Sequence, residues 1–381
     1  MNHHDGQTFS ADRCMVCGYC NVLSVFWAKA LGVFLALTLL TGCQSNSVYP
    51  VSDHYDGSRF FNRTTEPTMQ STWRIWWYFL SAPRQHTAPE NPLPVQTLSW
   101  TKWHALPNNE VHVVRLGHSS LLLNLHGQQW LIDPVFSERA SPVGFIGPKR
   151  FHALPIDPAS LPEMDGVLIS HDHYDHLDAY TIEQIHPKVK QFVTTLGVGS
   201  RLKDMGVPSH KITELDWQQS KQWAHVEITA EPAQHFSGRG LWDRNTTLWA
   251  SWVIRSHTQQ QERKLYYSAD TGYFKEFLAI GQRHGPFDLA IIEAGAWDKM
   301  WAGIHMTPEE AVQAHRDIQG KVLMPVHNSS FELALHAWHE PLERITIAAQ
   351  TQAIPLATPM FGEVYTIGTP PPSQAWWRAL K

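Results

Sequence analysis

Residues 170–178 read Ser170-His171-Asp172-His173-Tyr174-Asp175-His176-Leu177-Asp178, and they follow directly on the apolar run Gly166-Val167-Leu168-Ile169. The run has the length and composition of a buried strand. The nonamer therefore sits on a tight loop at a strand end, a rigid place for binding groups. Three histidines and Asp175 within the six residues 171–176 have the character of metal ligands. His171 and His173, two apart, can reach one ion, while the Asp175-His176 pair that follows points to a second. Solvent-exposed histidines cluster by chance too, but seldom in this order behind a buried strand.

The rest of the chain supplies a fold to carry such a loop. From residue 111 onward, short apolar runs bounded by Gly, Asp and Pro alternate with helical segments. Strands are predicted at 111–116, 120–125, 129–132, 166–170, 191–195, 226–230, 248–255, 264–268, 289–293, 322–326 and 363–367. Helices are predicted at 179–185, near 200–205 and at 273–282. Thr307-Pro308-Glu309-Glu310 opens another helix, with a Thr cap, Pro in the first turn and Glu at the capping-box position. Strands with helices between them make a mixed α/β domain. With 381 residues and 43% apolar content, the chain can bury a sizeable core and is not mostly disordered. Gly197-x-Gly199 lacks the third glycine of a dinucleotide loop and reads as a turn. The net charge of −5, with Lys149-Arg150 as the longest basic run, weighs against a nucleic-acid partner.

All four cysteines, Cys14, Cys17, Cys20 and Cys43, lie in the first 43 residues, so the remainder holds no disulfide and no thiol ligand. An apolar segment at 30–40, preceded by Lys29, has the dimensions of a signal-peptide core. It ends in Leu40-Thr41-Gly42-Cys43, which resembles a bacterial lipobox. Residues 1–42 are thus read as a lipoprotein signal peptide with Cys43 as the lipidated residue. The resemblance implies an envelope protein, lipid-anchored at the outer membrane and facing the periplasm, since Gln44 and not Asp follows. The Cys-x-x-Cys-x-x-Cys spacing falls in the segment to be removed and is read as incidental. Residues 43–110 form an extended arm before the domain at 111–370. Within the arm, Trp73-Arg-Ile-Trp-Trp-Tyr-Phe-Leu80 packs on the domain or faces a membrane, where Trp and Tyr favour the interface. Trp376-Trp377 is read the same way.

The nonamer resembles the metal loop of the metallo-β-lactamase superfamily. That resemblance implies a four-layer αβ/βα sandwich with two metals at one edge. Downstream positions match in order: His235 in Ala233-Gln-His235, Asp270 in Ser268-Ala-Asp270-Thr-Gly, and His327 in Met324-Pro-Val-His327. By the resemblance, His171, His173, His235 and Asp270 hold one ion; Asp175, His176, Asp270 and His327 hold the other. These N and O donors suit two zinc ions, with manganese or iron as alternatives. A pair of ions activates water and neutralises charge developing on phosphorus or carbon, and Asp175 can hold the water's proton.

Across residues 95–350, Gly117-His-Ser-Ser, Leu131-Ile-Asp133-Pro, Thr247-Leu-Trp and Met306-Thr-Pro-Glu-Glu-Ala join those motifs. Together they resemble the N-acyl-phosphatidylethanolamine-hydrolysing phospholipase D family and its bacterial relatives. This implies a metal-dependent phosphodiesterase that splits such a lipid into phosphatidic acid and N-acylethanolamine. It also places Asp133 and His118 beside the metals, His305 in the pocket as an acid or phosphate contact, and Arg239 against the phosphate oxygens. Here His327 is followed by Asn328-Ser329-Ser330, where the family often has Trp-Gly-Thr. Two alternatives stand beside this reading: a lactonase or small-molecule phosphodiesterase of the same superfamily, and an envelope protein that binds metal without turnover.

Overall fold

The computed structural model describes residues 49–64 and 69–380. The expected signal peptide, lipobox and Cys43 lie outside the described residues. Strands β1 (Val111–Gly117), β2 (Ser120–Leu125), β3 (Gln128–Ile132), β4 (Met164–Leu168), β5 (Val189–Thr195), β6 (Ile212–Leu215) and β13 (Val364–Thr366) form one sheet, in the order β13-β1-β2-β3-β4-β5-β6. A second sheet has the order β12-β11-β10-β9-β8-β7, from β7 (Ser220–Trp223), β8 (Val226–Glu231), β9 (Ser251–His257), β10 (Glu262–Tyr267), β11 (Leu289–Glu293) and β12 (Leu323–Val326). Each sheet joins an antiparallel meander to a parallel part. In the first, β1, β2 and β3 run antiparallel and β3 to β6 parallel. In the second, β7 to β10 run antiparallel and β10 to β12 parallel.

The sequence alternation explains why both faces of each sheet are covered. Successive side chains on a strand point to opposite faces. Leu121 and Leu123 pack between the sheets against Ile228, Trp252, Leu265 and Tyr267. Leu122 instead points outward, into a layer with Ile182 and Ile185 of helix α3 (Ala179–Ile185) and Leu202 of α4 (Val198–Asp204). Tyr266 does the same on the far side, meeting Phe277 and Ile280 of α5 (Glu276–His284), Val312 of α6 (Pro308–Asp317) and Ile345 of α7 (Glu340–Thr351). Strands buried on both faces read as unbroken apolar runs, as Leu289–Ile292 of β11 does. The result is the expected αβ/βα sandwich. Within the first sheet, Gly166 of β4 pairs in register with Trp130 of β3, and a Cβ there would run into the indole. The Thr307 helix start has the expected capping box, Thr307 accepting from Glu310 N–H and the Glu310 side chain from Thr307 N–H.

The arm departs from the extended reading. Residues Thr72–Ser81 form helix α1, and Trp100–His104 form the short α2. The aromatic cluster splits by face: Phe79 stacks on Trp301 at 5.5 Å and 3°, while Trp73, Trp77 and Leu80 are 57–66% exposed. Trp376 and Trp377 take the packed alternative. Both are buried in a cluster with Trp338 and Phe361, and Trp377 Nε1 donates to Glu343 at 2.8 Å, so they face no membrane. No helix among the described residues is long and apolar enough to cross a membrane.

Candidate metal centre

The loops that leave β1, β3 and β4 of the first sheet meet those that leave β8, β10 and β12 of the second. Several residues at these strand ends take a left-handed backbone: His118 (φ 49°), Asp133 (φ 39°), Ala269 (φ 52°) and His327 (φ 62°). Such φ values cost energy for non-glycine residues and collect at functional sites. At the His327 turn, Gly295 has no room for a Cβ, which would strike the His327 carbonyl.

Two groups of donors converge at this edge. In the first, His171, His173, His235 and Asp270 place their ligand atoms within 4.8 Å of one another. His173 Nδ1 lies 2.9 Å from His171 Nε2 and 3.3 Å from His235 Nε2, and Asp270 Oδ2 lies 3.8 Å from both of those Nε2 atoms. The second group is His118, Asp175, His176 and His327. Asp270 reaches it too, with Oδ1 3.0 Å from His176 Nε2 and Oδ2 3.1 Å from His327 Nε2. Asp175 Oδ2 lies 3.3 Å from His327 Nε2 and accepts from His118 Nε2 at 3.0 Å. The residues that the sequence singled out as ligands therefore converge at this edge, with Asp270 between the two groups. His118 stands closer than expected, inside the second group.

The imidazole orientations are fixed from behind. Asp133 is fully buried; its Oδ1 accepts from Ser170 N–H at 2.8 Å. Its Oδ2 accepts from Ser170 Oγ (2.6 Å), His176 Nδ1 (2.8 Å) and Tyr267 O–H (2.6 Å). A carboxylate partner makes Nδ1 of His176 the protonated nitrogen and turns the Nε2 lone pair to the centre. Ser170 Oγ, having given its proton to Asp133, accepts from His171 Nδ1 at 2.9 Å. His235 Nδ1 donates to the Ile304 carbonyl at 3.0 Å.

The donor set fits a pair of divalent ions. His176 Nε2, His327 Nε2 and Asp270 Oδ1 are buried without a hydrogen-bond partner, although buried polar atoms are normally satisfied. Electrostatics point the same way. Burial pushes the pKa of His171 and of His235 well below that of a free imidazole, favouring the neutral form that binds metal. Burial would raise the Asp270 pKa, but His176 and His327 outweigh it and hold the carboxyl well below its usual range. His327 is likewise depressed by burial, but Asp270 and Asp175 overcome this and push it up to about 10. The centre thus concentrates negative charge that a cation would neutralise.

Above the donors lies a cavity of about 250 Å³. His173, Asp175, Asp270, His305 and His327 form its floor. Ile75 and Phe79 of α1, with Met69, Phe236, Trp301, Ile304 and Leu333, form its apolar wall. His305 stacks on His327, with ring centroids 4.9 Å apart. Arg239 takes another post. Its Nη1 donates to the Asp172 and Leu177 carbonyls, each at 2.7 Å, and its guanidinium lies over the Tyr174 ring. It braces the nonamer loop and is not among the cavity-lining residues.

Two residues were not singled out in the sequence. Glu293 is fully buried at the end of β11, accepting from Met306 N–H at 2.7 Å, with Oε1 3.6 Å from His305 Nδ1. Burial raises its pKa. Asn62 of the arm bonds to the His235 peptide. Neither carries a local motif; a polar residue ending the apolar strand 289–293 was the sole available signal.

Comparison with known proteins agrees with this geometry. The family described as "Beta-lactamase superfamily domain" matches residues 128–328. An uncharacterized protein of Mycobacterium tuberculosis is 42% identical over 300 residues, covering 77% of this chain and 78% of that protein. N-acyl-phosphatidylethanolamine-hydrolyzing phospholipase D 1 of Caenorhabditis elegans is 34% identical over 270 residues, covering 67% of this chain and 74% of that protein. A crystal structure of isothiocyanate hydrolase from Delia radicum gut bacteria shares the fold, with a TM-score of 0.53 at 19% identity, spanning 68% of this chain and 100% of that one.

Proposed function

Because this chain belongs to the metallo-β-lactamase superfamily and is a metal-dependent hydrolase of that fold, we propose that its substrate is a phosphodiester lipid, cut in the phospholipase D manner. N-acyl-phosphatidylethanolamine is the reference substrate, and phosphatidic acid and N-acylethanolamine are the products. The observation that carries the reading is the pairing of two donor groups around Asp270 with an apolar cavity directly above them. The relationship to the Caenorhabditis elegans enzyme supports the choice of lipid.

Two divalent ions, zinc in the first instance, would supply Lewis acidity and activate water for attack on phosphorus. The chain's own residues do the rest. Asp175, partly open to the cavity, holds the water's proton on Oδ2, oriented by His118. His305, with Nδ1 toward Glu293, presents Nε2 to the departing alcohol and gives it a proton. The apolar wall takes the acyl chains and excludes water. On the outer face of α1, Trp73, Trp77 and Leu80 are exposed, as are Leu241 and Trp242 at 78% each, and such side chains suit a bilayer interface. An anchor at Cys43 would keep that surface beside membrane lipid.

The test is mass spectrometry of N-acyl-phosphatidylethanolamine in mixed micelles incubated with the zinc-loaded protein from Gln44 onward. Phosphatidic acid and N-acylethanolamine should appear, and Asp270→Asn should abolish them while leaving the fold intact. Trp73→Ala with Trp77→Ala should slow turnover of micellar lipid and spare a soluble short-chain analogue. Intact lipid in a metal-replete protein, or full turnover by Asp270→Asn, would sink the proposal. Turnover of lactones alone would move it to the lactonase reading.

A further inference from the structure

Residues 49–64 lie well before the superfamily match at 128–328, yet they reach the metal centre. His235 comes after β8 ends at Glu231, so its peptide has left the sheet ladder. Asn62 meets it there. The Asn62 side-chain amide donates from Nδ2 to the His235 carbonyl at 2.9 Å, and its Oδ1 accepts from the His235 N–H at 3.1 Å. The same Oδ1 accepts from Trp249 Nε1 at 3.3 Å. One side chain thus gives His235 the two bonds that a neighbouring strand would give. Asparagine suits the task because its amide carries a donor and an acceptor side by side.

The arm itself is held firmly. Tyr55 and Phe60 are part of the inter-sheet core, and Phe60 N–H donates to the Asn245 carbonyl at 2.8 Å. Thr64 Oγ donates to Gln234 Oε1 at 2.8 Å, next to the clasp. His235 is then fixed at two ends: its peptide by Asn62 and its Nδ1 by the Ile304 carbonyl. Those two constraints set where Nε2 points.

We infer that Asn62 is a positioning residue for the first donor group, so that the N-terminal arm is a working part of the metal centre. The inference rests on the reading of that group as a metal site. Removing such a support costs roughly ten- to a hundredfold in metal affinity. Removing the Asn62 amide also leaves the buried His235 N–H and C=O unpaired.

The experiment uses the full chain, stripped and titrated with Zn²⁺ against a chromophoric chelator, and with Co²⁺ followed by its visible spectrum. Wild type should take up two ions. Asn62→Ala should bind one of them at least about tenfold more weakly, with a changed Co²⁺ spectrum and the other ion retained. Asn62→Asp keeps the acceptor but turns a carboxylate oxygen on the His235 carbonyl, so it too should weaken that ion, and it serves if the alanine variant fails to fold. Phe60→Leu loosens the same arm without touching His235 and should keep both affinities at an equal loss of melting temperature. Equal binding by Asn62→Ala and wild type, or the same metal loss in Phe60→Leu, would overturn the positioning role alone. A wild-type chain that takes up no ion would overturn the role together with the metal reading.

Discussion

Asp133 shows how much one side chain can organise. Its carboxylate takes four hydrogen bonds, three from Ser170 and His176 of the nonamer loop and one from Tyr267 of the second sheet. It aims His176 directly and His171 through Ser170. In Asp133→Asn the amide would present hydrogens to at least one group that itself donates, and a buried donor left unpaired costs about 1–3 kcal/mol. Turnover and metal affinity should both fall by about ten- to a hundredfold, measured by chelator competition and initial rates, with melting lowered. Unchanged affinity would mean that the imidazoles hold their orientation without it. At this scale the sequence was informative wherever ligands cluster locally. His171, His173, Asp175 and His176 sit within six residues, His327 ends an apolar run, and His235 and Asp270 each come shortly after a predicted strand. Glu293 offered only the weak signal of a polar residue ending an apolar run, and Asn62 offered none; only folding brings Asn62 to a residue 173 positions away. Arg239 was misread as a phosphate contact because a cation near a metal loop suggests an anion, whereas its partners are backbone carbonyls.

Among elements, the strands and helices of the interior were legible because burial on both sides leaves unbroken apolar runs. β6 and β7 were not, and both are sheet edges, where Ile212-Thr-Glu-Leu215 and Ser220-Lys-Gln-Trp223 mix polar and apolar residues. Helix α1 was missed for a different reason: it is apolar on its outer and its inner face, so no single stripe marks it. The arm's docking should depend on pH. His54 stacks on Trp217 at 4.4 Å and lies between Asp53 Oδ1 (2.6 Å) and Asp216 Oδ1 (2.7 Å). Burial lowers its pKa, but Asp216 and Asp53 outweigh that, and the net shift is upward from 6.5. A raised histidine pKa adds stability that is complete below the unfolded value and is lost as pH rises through the folded value. Hydrogen exchange of residues 52–62 should therefore quicken as pH climbs above about 6.5, once the intrinsic rate is removed. His54→Gln should flatten that trend; a wild-type arm with no pH dependence would contradict the assigned charge state.

For the molecule as a whole, the core and the centre are separate structures. The apolar layers need none of the ligands, which all sit at one edge. Chelation should abolish hydrolysis while the far-ultraviolet circular dichroism stays native. Ligand linkage predicts a lower melting point without metal, by an amount that grows with metal concentration in the loaded sample. Loss of secondary structure on chelation would show that the ions hold the sandwich together. The donors, moreover, are divided between the two sheets: the first carries His118, Asp133 and the nonamer, the second His235, Asp270 and His327. Asp270 meets His176 at 3.0 Å across that divide. The edge therefore works as a caliper on the thickness of the sandwich. Side chains deep between the sheets, such as Ile228 and Leu123, set the opening of its jaws. A swap there that barely alters melting can still move one jaw by a fraction of an ångström, so the reaction registers interior wear before the fold does.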